Sequence, residues 1–88
     1  MSSVRWVSME GWVTGIEAGA LSLFVQLGGR GSNRGLVYII TQAKLGAGGR
    51  IYRYVVRISE GAHLKTVPPE WEGVEVLYTG AGESLPEF

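Results

Sequence analysis

Apolar and polar residues alternate with period two along most of this chain. That alternation predicts strands, because successive side chains of a strand point to opposite faces. Residues 4–16 (VRWVSMEGWVTGI) read as a first strand and residues 20–27 (ALSLFVQL) as a second, with Glu17-Ala18-Gly19 as the tight turn between them. In the second strand Leu21, Leu23, Val25 and Leu27 share a core face, and Ser22, Phe24 and Gln26 share the other. No helical apolar spacing is read over three turns anywhere.

Residues 28–35 (GGRGSNRG) hold four glycines, two arginines and no large apolar residue, and read as a mobile loop. A third strand, Leu36 to Leu45, and a fourth, Arg50 to Ser59, flank Gly46-Ala47-Gly48-Gly49, a second hairpin turn. Setting Leu45 opposite Arg50 puts Val37/Ile58, Ile39/Val56, Thr41/Tyr54 and Ala43/Tyr52 on one face. Tyr38/Arg57, Ile40/Val55, Gln42/Arg53 and Lys44/Ile51 then take the other. The first face is core and the second is mixed. His63 to Val67 reads as a short fifth strand, Pro68 to Trp71 as one helical turn with proline at its start, and Val74 to Tyr78 as a final strand.

Five to six short strands joined by glycine turns predict an all-β fold, a small barrel or curled antiparallel sheet that a dimer partner would complete. Eighty-eight residues support one core, so residues 1–80 are read as a single β domain and residues 81–88 (AGESLPEF) as an acidic tail, ordered at Leu85 and Phe88 if anywhere. The longest apolar run, Leu36 to Ile40, is far short of the roughly 20 residues of a membrane helix, and no basic-then-apolar leader opens the chain. The expected location is the cytoplasm. The absence of cysteine excludes disulfides and thiolate metal sites, and six arginines against two lysines with no aspartate is a bias met in thermophilic proteins.

The net charge is zero, yet its distribution along the chain is uneven. Residues 1–57 carry seven cations against Glu10 and Glu17, whereas residues 58–88 carry Lys65 against six glutamates. On the mixed face Tyr38, Lys44, Arg53 and Arg57 project together, with Arg50 beside the turn and Arg30 and Arg34 on the glycine loop. Cations neutralise phosphates and an aromatic ring stacks on an unpaired base, so these seven residues are the candidate nucleic-acid-binding set. The bland alternative is a solvated face whose arginine stems cover Ile40 and Val55, or one that pairs with the C-terminal glutamates.

Catalytic chemistry is thinly provided. With one histidine, no cysteine and no aspartate, no catalytic residue, metal site, cofactor or small-molecule substrate is predicted, and His63 reads as a surface or edge residue. Neither glycine cluster matches a phosphate-binding loop, because no lysine-serine/threonine ending and no helix follows.

Trp6 and Trp12, six residues apart, share a strand face with Ile16 while Val7, Met9 and Val13 take the other. Apolar groups on both faces predict a strand buried on two sides or an interface between subunits. Trp71 is expected to pack back onto the domain, and Gly73 to let the chain turn into the last strand. In the tail, Leu85, Pro86 and Phe88 are spaced to dock into a groove or to cover the basic face.

Residues 57–78 (RISEGAHLKTVPPEWEGVEVLY) resemble the AbrB-type regulators and related short archaeal transposon-associated proteins, through Gly61, Pro68, Glu70, Trp71, Gly73 and Val76 in that order. The resemblance covers 22 of 88 residues and implies a swapped-hairpin β dimer that binds DNA. Here the motif lies late in the chain among Glu60, Glu70, Glu72 and Glu75, so DNA contacts would fall to Arg50, Arg53, Arg57 and the loop arginines. The functional expectation is a non-enzymatic, nucleic-acid-binding homo-oligomer, DNA before RNA. The alternative is an assembly subunit that binds protein through an apolar sheet face or the tail.

Overall fold

The computed structural model describes residues 2–6, 16–64, 66–80 and 82–88, with side chains from residue 18 onward. In chain order the elements are β1 (Ser2–Trp6), α1 (Ile16–Gln26), β2 (Val37–Gly46), β3 (Gly49–Ile58), β4 (Glu70–Trp71) and β5 (Val74–Thr79). The strands form an open sheet of order β1-β2-β3-β5-β4, in which β4 is a two-residue bridge at one edge. The described residues form a small β-rich domain with one helix, and their sheet is neither closed into a barrel nor wholly antiparallel, since β3 and β5 run parallel.

The β2–β3 hairpin has the register that the alternation predicts, from Val37 opposite Ile58 to Leu45 opposite Arg50. Gly46 pairs with Gly49 across the two-residue turn Ala47-Gly48, and the positive φ of Gly49 (119°) is one that side chains rarely adopt.

The first predicted hairpin is corrected: residues 20–26 are helix, not strand, and Gly19 lies inside that helix rather than in a turn. Ala20, Leu23, Phe24 and Leu27 are spaced i, i+3, i+4, i+7, and all four are buried, while Val25 is 44% exposed. The strand reading separated Phe24 from Leu23 and Leu27, whereas a helix brings the three to one side. The helix ends because Gly28 adopts φ 83°, so that Gly28 N–H donates to Val25 O and Gly29 N–H to Phe24 O, the paired bonds of a glycine C-cap. Of the predicted strand 4–16, residues 4–6 lie in β1, which pairs with β2 (Trp6 opposite Ile40), Ile16 lies in α1, and residues 7–15 lie outside the described residues. Trp12 lies outside the described residues.

Two alternating sets of side chains divide the sheet. The first set, Val37, Ile39, Tyr54, Val56 and Val76, packs with Ala20, Leu23, Phe24 and Leu27 of the helical segment into one apolar core. A parallel β3–β5 pair needs a crossover between its strands, and residues 59–69 supply it. Ala62, Leu64 and Val67 of this segment pack on the same core. Residues 63–64 and 66–67 are therefore an irregular crossover and not the fifth strand expected there. Residues 70–71 are strand and not a helical turn, because Glu72 (φ 52°) and Gly73 (φ 80°) form a two-residue hairpin turn into β5. Trp71 is half-buried against the core, and its Nε1–H donates to Ser22 Oγ at 2.9 Å.

The second set, on the opposite face, comprises Tyr38, Ile40, Gln42 and Lys44 of β2, Ile51, Arg53, Val55 and Arg57 of β3, and Glu75, Leu77 and Thr79 of β5. No helix among the described residues is long and apolar enough to cross a membrane.

Candidate nucleic-acid interface

The seven predicted cationic and aromatic residues fall into three places. Arg30 and Arg34 are exposed on the α1–β2 loop. That loop is a run of consecutive turns in which Gly31 and Asn33 N–H donate to Gly28 O, Arg34 N–H to Gly31 O and Leu36 N–H to Asn33 O. Its fastening is Asn33, only 1% exposed, whose Nδ2 donates to Leu27 O (2.8 Å) and His63 O (3.1 Å) while its Oδ1 accepts from His63 N–H (2.7 Å). A segment expected to be mobile is thus tied both to the end of α1 and to the crossover. His63 itself is exposed and takes part through its backbone.

The same loop meets the mixed face through Tyr38, whose hydroxyl donates to Gly35 O at 3.0 Å. Tyr38 is 39% exposed, and Arg57, half-buried, stands opposite it in β3. Arg30, Arg34, Tyr38 and Arg57 therefore belong to one end of the sheet. Arg50 is exposed at the other end, beside the hairpin turn, roughly 23 Å from Tyr38 at about 3.3 Å per strand residue.

Between these ends, Arg53 and Lys44 lie under residues 86–88. Arg53 is 8% and Gln42 2% exposed. Arg53 Nε–H donates to Gln42 Oε1 (2.7 Å), and its Nη2 to Glu87 O (2.7 Å) and Pro86 O (3.3 Å); Gln42 Nε2 also donates to Pro86 O (2.8 Å). The Phe88 ring lies 4.2 Å from the Arg53 guanidinium and 4.6 Å from Lys44 Nζ, both cation–π contacts.

No family model, curated protein or solved structure matches this chain. The site is consequently read from its own residues. The basic and acidic halves of the sequence interleave here: Glu75 of β5 stands beside Arg53 in the parallel register, and Glu87 lies on the segment that crosses Arg53. Among the described residues no three of His, Cys, Asp and Glu are grouped to hold a metal ion.

Among the described residues one titratable group is strongly perturbed, and it lies on the helix side of the sheet. Burial, reinforced by nearby Glu72, pushes the Tyr54 phenol up to about 12. Above it Gly19 leaves just enough room, since a β-carbon there would overlap the Tyr54 hydroxyl. Sequence reasoning missed Asn33 and Gln42 as organising residues. For Asn33 a signal was available: it is the only asparagine in the chain, set in a glycine loop that otherwise has few means to order itself.

Proposed function

We propose that this protein is a non-enzymatic nucleic-acid-binding domain whose contact surface centres on Arg30, Arg34, Tyr38 and Arg57. The observation that carries the reading is the Tyr38–Gly35 hydrogen bond, which joins an arginine-bearing loop to a sheet face where an exposed ring and a cation stand opposite each other. Cations positioned around a ring suit phosphates around a base. Arg50 is separate from this cluster, and Lys44 and Arg53 contribute only where the segment above them moves aside.

Equilibrium binding to single- and double-stranded oligonucleotides across a salt series tests the reading. Affinity should fall linearly on a log–log scale, and Arg34→Ala or Arg57→Ala should each reduce the slope by about one counter-ion. No binding to DNA or RNA of either form at low salt overturns it.

A second reading, a subunit that associates through protein contacts, including with copies of itself, is favoured by one specific feature. The β2–β3 hairpin ends in Leu45, Ile51 and Tyr52, which are 75%, 45% and 37% exposed, around a glycine-rich turn. Light scattering of the wild type and of Leu45→Glu separates the readings. Self-association lost on substitution supports the second, and a monomer in both cases removes its homo-oligomeric form.

A further inference from the structure

Arg53 is a nearly buried guanidinium, yet the acceptors placed around it, Gln42 Oε1 and the carbonyls of Pro86 and Glu87, are all neutral. These bonds are charge-assisted from the donor side alone, whereas an ionised acceptor in the same place would add charge on the acceptor side and match the bidentate fork of the guanidinium. Beside these donors, one flat ring lies against a guanidinium and an ammonium, the Phe88 ring against Arg53 and Lys44. A phosphodiester carries the same two features, acceptor oxygens and a flat base, with negative charge added.

We infer that the seat formed by Gln42, Arg53 and Lys44 is a binding site for one nucleotide of a single-stranded nucleic acid, and that residues 86–88 occupy it in place of that ligand. The Phe88 ring holds the position of the base, and the Pro86 and Glu87 carbonyls hold positions of phosphate oxygens. Single strands are specified because a base within a duplex is stacked on both sides, whereas an unpaired base is free to lie on arginine. The seat lies on the same sheet face as Tyr38 and Arg57, separated from them by the fully buried Ile40 and Val55 of the two central strands. Between β5 and the covering segment, Gly80 and Glu83 are joined by Glu83 N–H to Gly80 O (3.3 Å) and Gly80 N–H to Glu83 Oε1 (3.2 Å), a turn about which the segment would have to lift.

This inference rests on the nucleic-acid reading above, and the test separates the two. The full-length wild type and Phe88→Ala are titrated by fluorescence anisotropy with a short labelled single strand, with the matching duplex, and with a labelled peptide of sequence SLPEF. The expected result is single-strand binding about tenfold tighter in Phe88→Ala than in the wild type, on the scale of one stacked base, with duplex binding unchanged. Adding Lys44→Ala to Phe88→Ala should reverse most of the gain, while thermal melts check that each variant is folded.

Equal single-strand affinity in wild type and Phe88→Ala overturns the inference and leaves the proposed function standing. An equal gain for the duplex overturns the base-sized seat. Binding of the peptide without binding of either nucleic acid makes the seat a peptide site and overturns both readings, as does the absence of all three.

Discussion

The two faces of the β2–β3 hairpin share one backbone and one register, yet they are covered by different means. On one, Val37, Ile39, Tyr54 and Val56 meet Leu23, Phe24 and Leu27, a dry apolar contact. On the other, Ile40 and Val55 are just as buried, but the strand positions beyond them are Gln42 and Arg53, and their cover is an extended segment held by hydrogen bonds to its carbonyls. Apolar packing is non-directional and scales with area, so the helix side supplies stability. Bonds from buried donors are directional and exchange with water or with another acceptor, so the cover of the mixed side depends on specific partners in a way that the helix side does not.

The comparison breaks most visibly on the helix side. Leu23 is fully buried, and Leu23→Ala should cost about 2–5 kcal/mol, read by urea or thermal unfolding. A smaller loss than from any substitution under residues 86–88 would reverse the ranking of the two faces. Asn33→Ala comes next. It removes the group that satisfies the buried Leu27 carbonyl and both the carbonyl and the N–H of His63, and should cost about 1–3 kcal/mol while raising amide exchange in residues 28–36.

A sharper test of the helix contact uses Gly19 and Tyr54 together. Gly19→Ala should destabilise the wild type, because the new methyl meets the buried Tyr54 hydroxyl. In a Tyr54→Phe background the nearest ring atom lies at 3.5 Å, an ordinary contact, and the same substitution should stabilise by about 0.5–1 kcal/mol through helix propensity. The phenol also makes stability depend on pH. The folded state holds its proton to about pH 12 whereas an unfolded tyrosine loses it near 10, so the stabilisation is complete below pH 10 and is lost as pH rises through 12. Tyr54→Phe should flatten that alkaline loss in pH-dependent melts.

What was legible in the sequence followed locality. The β2–β3 register was readable because two alternating runs are joined by a short glycine turn, which leaves few ways to pair them. The helix was not, because residues 20–27 also satisfy period two through Leu21, Leu23, Val25 and Leu27, and only tertiary burial of Ala20 and Phe24 separates the readings. The parallel β3–β5 pairing was hidden for a related reason: its crossover is irregular and holds only scattered apolar residues. Of the candidate site, residue types and face assignments were readable. Which arginines would be covered was not, since that depends on where residues 86–88 come to lie.

Phe88→Ala is the most informative substitution on the mixed face. Phe88 is half-buried and contributes two cation–π contacts, each worth about 0.5–1 kcal/mol where water remains near. The Pro86 and Glu87 carbonyls stay in place in Phe88→Ala, so Gln42 and Arg53 keep their acceptors in the folded chain. Together the two contacts amount to about 1–2 kcal/mol, so the melting temperature should fall by roughly 4–8 °C for each kcal/mol lost in a chain of this size. Exchange of the Arg53 side-chain protons, followed by NMR, should accelerate, because the ring that shields the guanidinium is gone. A large loss of stability with no change in that exchange would make Phe88 a core residue and give both faces the same kind of cover. A small loss with faster exchange leaves the sheet with one face built for folding and one held shut by a removable ring.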